Sequence, residues 1–186
     1  MGKPKITDKR WSIDLEKRIQ EEHYGETYNN RYSFNPDSKK EIFVIDTPPP
    51  YPSGTWHIGA VAQYSMIDVI ARSQRLLGKE VYFPWGVDRN GINIEFTVEK
   101  KTGKKMRTFN RGDFIDICRD TIEEYTQAMR ETACRVGLSC SFENEYLTDS
   151  PEYRSVSQSI FVDLFKQGNI IEDLRPNIYD PVEGTT

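Results

Sequence analysis

Residues 41–88 read "EIFVIDTPPPYPSGTWHIGAVAQYSMIDVIARSQRLLGKEVYFPWGVD", and the order of patterns inside this run decides the fold. It opens on EIFVIDT, a compact apolar run with β-branched residues that predicts a buried strand over 41–47. Pro48, Pro49 and Pro50 end that strand, because proline has no backbone N–H to give to a ladder. From Ile58 the apolar positions Ile58, Val61, Ala62, Met66, Val69, Ile70 and Leu77 recur at steps of three and four, which predicts one apolar face of a helix with Gly78 as its stop. Asp68, Arg72 and Arg75 read most simply as that helix's solvated face. EVYFPWGVD then predicts a second strand over 80–84, running into a loop that contains Gly86 and Gly91. Strand, helix and strand at this spacing make a parallel crossover, the unit of an α/β sheet.

Outward from this unit, the pattern on the N-terminal side is simple. IDLEKRIQEE, residues 13–22, predicts a short amphipathic helix using Ile13, Leu15 and Ile19, so residues 1–40 read as a helical appendage. On the C-terminal side, RGDFIDICRDTIEEYTQAMRETACRVGL predicts a long helix with Phe114, Ile115, Cys118, Ile122, Tyr125, Met129 and Cys134 facing inward. SPEYRSVSQSIFVDLFKQG predicts another, with Ser150 as N-cap, Pro151 in the first turn and Gly168 just past its end. NIIEDLRPNIYDPVEGTT predicts a strand and then a turn over Pro181–Gly184, after which a returning strand is expected.

Composition bounds the class. At 186 residues, 37% hydrophobic, 29% charged and net charge -4, the chain reads as a soluble globule of one domain with an appendage. It has no apolar run of the roughly 20 residues that a membrane span requires, and MGKPKITDKRWS lacks the apolar core of a secretion signal. The expected location is therefore cytoplasmic. Cys118, Cys134 and Cys140 form no CxxC pair and have only His23 and His57 to join them, so no metal site is expected, and Cys118 and Cys134 on the long helix read as core filler. A pI near 5.4 does not suit a dedicated nucleic-acid module, which needs clustered Lys and Arg.

The chemistry concentrates beyond the carboxyl ends of the two predicted strands, where open α/β sheets bind ligands. The loop from Thr47 to Trp56 delivers His57 and Gly59 to a helix start, whose unpaired N–H groups and positive dipole end favour phosphate. An imidazole there can donate to a phosphate oxygen, or simply cap the helix. Asp88, between Gly86 and Gly91, can pair with a ligand ammonium group, or form the turn that Asp and Gly favour.

Taken together, PPPYPSGTWHIGA followed by DVIARSQRLLGKEVYFPWGVDRNGINIE resembles the class I aminoacyl-tRNA synthetases, whose first signature is His-Ile-Gly-His after a proline-rich strand-to-helix loop. The similarity runs from about residue 41 to the C-terminus. The triple proline and the two-residue spacer between Gly54 and His57 are most similar to the valyl branch in its archaeal-type form, with isoleucyl and leucyl branches, or a non-catalytic synthetase-like tRNA- or partner-binding protein, as alternatives. The resemblance implies an α/β fold over residues 41–186: the first half of a Rossmann-like nucleotide-binding catalytic domain, a parallel sheet with flanking helices that stops short of an inserted editing domain. It implies an aminoacyl-tRNA ligase in which valine and ATP, with Mg2+, give valyl-adenylate, and the valyl group passes to tRNA. By the same carry-over His57 acts in catalysis, with Gly54, His57, Gly59 and Ala60 on ATP. Pro49, Pro50, Tyr51, Gly86 and Asp88 lie on the amino acid, and Trp56 closes the site or packs.

Two departures accompany it. Ala60 stands where the signature has its final histidine, and no Lys-Met-Ser-Lys-Ser occurs; KKTGKKM at 100–106 is too early and lacks the serines. The 186 residues alone are expected to be inactive in adenylate formation. YDPVEG near the end lacks the cysteine pair of a zinc knuckle.

Overall fold

A computed structural model describes residues 10–23, 31–54 and 56–182 of the chain. The chain divides into two compact units, Met1–Asp149 and Ser150–Thr186.

In the first unit the element order is α1 (Ile13–His23), β1 (Ile42–Val44), α2 (Ile58–Leu76), β2 (Glu80–Tyr82), β3 (Pro84–Val87), α3 (Asn93–Thr102), a 3-10 turn (Met106–Thr108), α4 (Arg111–Val136) and β4 (Ser141–Leu147). β1 pairs with β2 and β3 pairs with β4, both in parallel. The run from Glu80 to Val87 is thus one extended path that serves two neighbours. Its carbonyls alternate in direction: Tyr82 O accepts from Ile45 N at 2.9 Å, while Phe83 O and Val87 O accept from Ser141 N at 2.7 Å and Thr148 N at 3.1 Å. β1 and β4 therefore flank it on opposite sides. Pro84, which has no N–H, sits at the first position of β3, where a strand tolerates it.

This central path carries the core. Val81, Phe83, Trp85 and Val87 are buried at alternate positions and meet Tyr64 and Ala71 of α2, Met129 and Ala133 of α4, and Leu138, Cys140 and Phe142 beyond. A fully buried side chain of this kind contributes about 1.5 to 3 kcal/mol relative to exposure, so eleven in one cluster form the main driving force for this unit.

The parallel crossover expected from residues 41–88 is present, with three corrections. The strand over 41–47 is only Ile42–Val44, and it is not buried: Phe43, with Ile45 just beyond, packs on the core, while Ile42 and Val44 on the opposite face are 49% and 56% exposed. The expected strand after residue 168 is absent apart from a single bridge residue at Asp180. Asp173 and Asn177 instead accept from the next backbone N–H at 2.8 and 2.9 Å, a local bond that competes with strand pairing. Part of the expected turn, through Gly184, lies outside the described residues, as do the first nine residues.

The third correction concerns α2. Its length matches the periodicity, but its buried face is Tyr64, Asp68 and Ala71. The apolar positions Ile58, Met66, Val69, Ile70 and Leu77 are exposed. Asp68 is 7% exposed; its Oδ1 accepts from Ser139 N at 2.7 Å and from the Ser139 hydroxyl, and Oδ2 holds Arg72 at 2.6 Å. Arg75 donates to Ser139 O at 2.8 Å and to its hydroxyl, and Arg72 reaches Gly137 O. Every polar atom of Ser139 is thereby taken by α2. These bonds fix the turn between α4 and β4, and with it the position of β4 beside β3.

Two elements were not expected from the pattern, α3 and β4. α4 has the anticipated span, with Phe114, Ile122 and Met129 buried and Asn110 as N-cap, although Ile115 is 36% exposed. The three cysteines are free thiols, and burial pushes all three up from their ordinary pKa, Cys140 most of all.

The second unit consists of α5 (Pro151–Lys166) and an irregular segment. Ser150 caps α5 by accepting from Tyr153 N at 3.2 Å, as its sequence predicts. None of its residues is buried, and Val156, Ile160, Phe161 and Phe165 are exposed. Among the described residues no helix is long and apolar enough to cross a membrane.

Candidate functional site

The proline loop folds back over the end of β3. Pro50 O accepts from Asp88 N at 2.9 Å, and the Tyr51 hydroxyl donates to Gly91 O at 3.3 Å. The two loops that the sequence singles out are therefore stitched together, with Pro49, Pro50 and Tyr51 half-buried against the Asp88 turn. Burial raises the Tyr51 phenol above its ordinary pKa, which keeps it a neutral donor. A Cβ on Gly91 would come within 3.1 Å of the Tyr51 ring, so the ring and the backbone of the second loop touch closely.

The loop is also anchored from behind. Tyr64 on α2 donates its hydroxyl to Pro48 O at 2.9 Å, and burial pushes its pKa up to about 12. Trp56 stacks on Tyr64 with ring centroids 5.1 Å apart and meets Trp85 edge-on at 5.8 Å. Trp56 is thus packed into an aromatic row that continues to Phe142, 5.5 Å from Trp85.

His57 is the N-cap of α2. Its backbone is extended (φ -86°, ψ 162°), and Nδ1 accepts from Gly59 N at 3.1 Å. An Nδ1 that accepts places the proton of a neutral imidazole on Nε2. The exposed ring therefore turns a donor, Nε2–H, away from the helix. Gly59 makes this possible: a Cβ there would lie 2.9 Å from His57 Cε1. Ala60 N bonds His57 O at 3.0 Å within the first turn, and Gly54 takes φ +116° in the loop above it.

Gly86 is placed differently from the expectation of a loop. It lies inside β3, in register with Tyr146 of β4, and a Cβ would fall 2.3 Å from the Tyr146 ring. Only glycine lets that ring cover the strand.

Asp88 follows β3 directly. Its Oδ1 accepts from Asn90 N at 3.1 Å, the turn-forming bond, and from the Thr148 hydroxyl at 3.0 Å. Arg89 beside it is held by Glu123 at 2.7 Å and Asp149 at 3.1 Å. Thr148, Asn90 and Tyr64 are contributors that sequence reasoning did not find. Single polar residues in segments without a recognised pattern give no signal, and Thr148 follows a strand that was itself unexpected.

Among the described residues no group of three His, Cys, Asp or Glu side chains is arranged to hold a metal ion. A cavity of about 610 Å3 opens between α1 and α4, lined by Lys17, Gln20, Arg130 and Cys134 among others, and shares no residue with the two loops.

Short parallel sheets with flanking helices, whose strand ends carry a helix-capping histidine and a carboxylate turn stitched to a proline loop, make an α/β domain of the kind that binds ligands at the carboxyl edge of its strands. The model of the family "tRNA synthetases class I (I, L, M and V)" matches residues 20–186, and the chain belongs to that family. It is similar to the valine--tRNA ligases of Thermoplasma volcanium (44% identity over 82% of this chain and 19% of that protein), Aeropyrum pernix (39%, over 99% and 23%) and Rickettsia akari (41%, over 83% and 19%). The chain therefore spans about a fifth of the length of the curated relatives it matches. Among solved structures, the ternary complex of Agrobacterium radiobacter K84 LeuRS with tRNA and LeuAMS aligns with a TM-score of 0.68 and 30% identity, over 91% of this chain and 19% of that one.

Proposed function

We propose that residues 41–186 form the first half of the nucleotide-binding catalytic domain of a valine--tRNA ligase, with residues 1–40 as an appendage. The whole protein joins valine to ATP, giving valyl-adenylate and pyrophosphate, and passes the valyl group to tRNA in the cytoplasm. Relatives from archaea and bacteria at 39–44% identity, all valine--tRNA ligases, support valine over leucine or isoleucine.

The observation that carries the site is the His57 cap. Nδ1 is committed to Gly59 N, so the ring is fixed in orientation and tautomer with Nε2–H exposed at the positive end of α2. A donor held there meets the ATP phosphates and stabilises charge that develops as pyrophosphate leaves, at no cost in reorganisation. Gly54, Gly59 and Ala60 bring backbone close to the nucleotide, and Ala60 leaves His57 as the imidazole donor of this signature.

Asp88 holds the substrate ammonium through Oδ2, since Oδ1 is already used by Asn90 and Thr148. Pro49, Pro50 and Tyr51 form the amino-acid side, and Gly86, buried in β3 beneath the Tyr146 ring, supports it from within the strand. Such an apolar wall separates valine from isoleucine by size, whereas an isosteric hydroxyl is rejected only about a hundredfold. Mg2+ enters as the counter-ion of ATP.

Valine-dependent ATP–pyrophosphate exchange by the full-length protein tests the reading. His57→Ala is expected to lower kcat by roughly 100-fold or more, the typical loss of one positioned donor. Asp88→Ala is expected to raise KM for valine. Unchanged kinetics in both variants would overturn the assignment, and equal or better exchange with leucine or isoleucine would move the specificity.

A further inference from the structure

We infer that Thr148 is a positioning residue for amino-acid recognition, holding the Asp88 carboxylate so that a single oxygen faces the substrate ammonium group. This rests on the proposed role of Asp88.

The juxtaposition follows from register. Val87 of β3 pairs with Leu147 of β4, so the next residues of the two parallel strands, Asp88 and Thr148, emerge side by side at the carboxyl edge of the sheet. Thr148 N donates to Val87 O at 3.1 Å, which extends the ladder by one bond past β4. Thr148 itself is 7% exposed.

A count of protons fixes the direction of every bond at its hydroxyl. A threonine hydroxyl has one proton to donate and two lone pairs to accept with. Arg89 N, a donor only, lies 2.8 Å from Thr148 Oγ1, and Asn90 Nδ2 lies 3.0 Å away. The Asn90 amide orientation is set independently, since its nitrogen also donates to Thr148 O at 3.1 Å, which can only accept. Both lone pairs of Oγ1 are therefore occupied, and its proton has one destination, Asp88 Oδ1 at 3.0 Å.

Asp88 Oδ1 in turn receives two donors, Thr148 Oγ1–H and Asn90 N–H. Two bonds from different directions fix the carboxylate plane, and Oδ2 is the oxygen left for a ligand. Thr148 thus does for Asp88 what an orienting group does for a catalytic base, without touching the substrate. Valine at this position keeps the shape and buried volume but removes the proton donor and leaves the Arg89 and Asn90 N–H groups facing a methyl.

The test uses the full-length protein and ATP–pyrophosphate exchange. Thr148→Val is expected to raise KM for valine about tenfold, the equivalent of one hydrogen bond to a charged group, with KM for ATP unmoved. Thr148→Ser is expected to recover most of that loss, because the hydroxyl is restored. A second readout separates positioning from general damage: inhibition by 3-methylbutanoate, which lacks the ammonium group, should be the same for wild type and Thr148→Val. Should Thr148→Val fail to fold, the same comparison is read between Thr148→Ala and Thr148→Ser. The inference is overturned if the hydroxyl-free variant binds valine like wild type, or if 3-methylbutanoate and ATP weaken in parallel with valine. Asp88→Asn distinguishes the two levels. A raised valine KM there beside a normal one in Thr148→Val sinks only the positioning role, whereas a normal KM in Asp88→Asn removes the proposed ammonium site and this inference with it.

Discussion

Helix α2 buries a mixed face and leaves an apolar stripe exposed. Tyr64, Asp68 and Ala71 are buried, and Arg75 reaches the buried Ser139, while Ile58, Met66, Val69, Ile70 and Leu77 stand in solvent. An amphipathic surface helix ordinarily buries its apolar stripe. Here the inward face is chosen by what it must hold. The α4–β4 turn presents the backbone and hydroxyl of Ser139, which is wholly buried, and only a carboxylate and a guanidinium on α2 satisfy all of its polar atoms. The same turn delivers β4, Tyr146 and Thr148 to the site, so the Asp68, Arg72 and Arg75 side chains of α2 organise one end of the strands while its N-terminus lies at the other.

The largest effect is expected of Asp68→Ala. It strands the Ser139 N–H and hydroxyl in a buried place, and a loss of about 3 kcal/mol is expected, visible as a lower urea midpoint of tryptophan fluorescence. Arg72 is 43% exposed and regains water, which keeps the loss below that of a fully buried pair. Arg75→Met should cost less, about 1.5 kcal/mol, since Asp68 still serves Ser139 N and only the carbonyl and one hydroxyl lone pair lose a donor. Equal midpoints for wild type and Asp68→Ala would mean the buried network contributes nothing.

That mixed face also explains what was legible in the sequence. The crossover unit, the length of α2, the span of α4 and the cap of α5 follow from local rules: periodicity, proline and glycine punctuation, and Ser150 before Pro151. The face of α2 does not, because periodicity marks which residues are apolar and not which surface another element needs. β4 was hidden for a related reason. SFENEYL has no clean alternation, and its ladder with β3 carries a register irregularity between Pro84 and Gly86. At the site, His57, Gly59 and Asp88 stood out through residue type and punctuation. Tyr64 and Thr148 matter only through partners 16 and 60 residues away, which no local pattern encodes.

Tyr64 acts from the buried side of α2. Its hydroxyl serves Pro48 O as a neutral donor, and its folded pKa lies at about 12 against an ordinary 10. A raised pKa means the fold favours the protonated phenol. This contribution is therefore complete below pH 10 and lost as pH rises through about 12. Tyr64→Phe keeps the stack on Trp56, gives up the bond to Pro48, and should cost about 1 kcal/mol at pH 8. The difference between wild type and variant should shrink between pH 10 and 12. A difference that stays constant across that window would show that the hydroxyl contributes through shape alone.

The smallest effect belongs to the outward face. Val69 is 62% and Ile70 50% exposed, so within this chain they remove little apolar surface from water on folding. Val69→Ser exchanges one β-branched or cap-favouring residue for another of similar helix propensity and leaves no cavity. Its urea midpoint in the 186-residue chain should correspond to a change within about 0.5 kcal/mol, the usual range for exposed sites. The comparison with Asp68→Ala then sets an apolar and a charged residue one position apart on the same helix, with the charged one dominating. A loss of more than 1 kcal/mol for Val69→Ser would reverse that order, and would mean that the apolar stripe of α2 is covered in solution even in the chain of 186 residues.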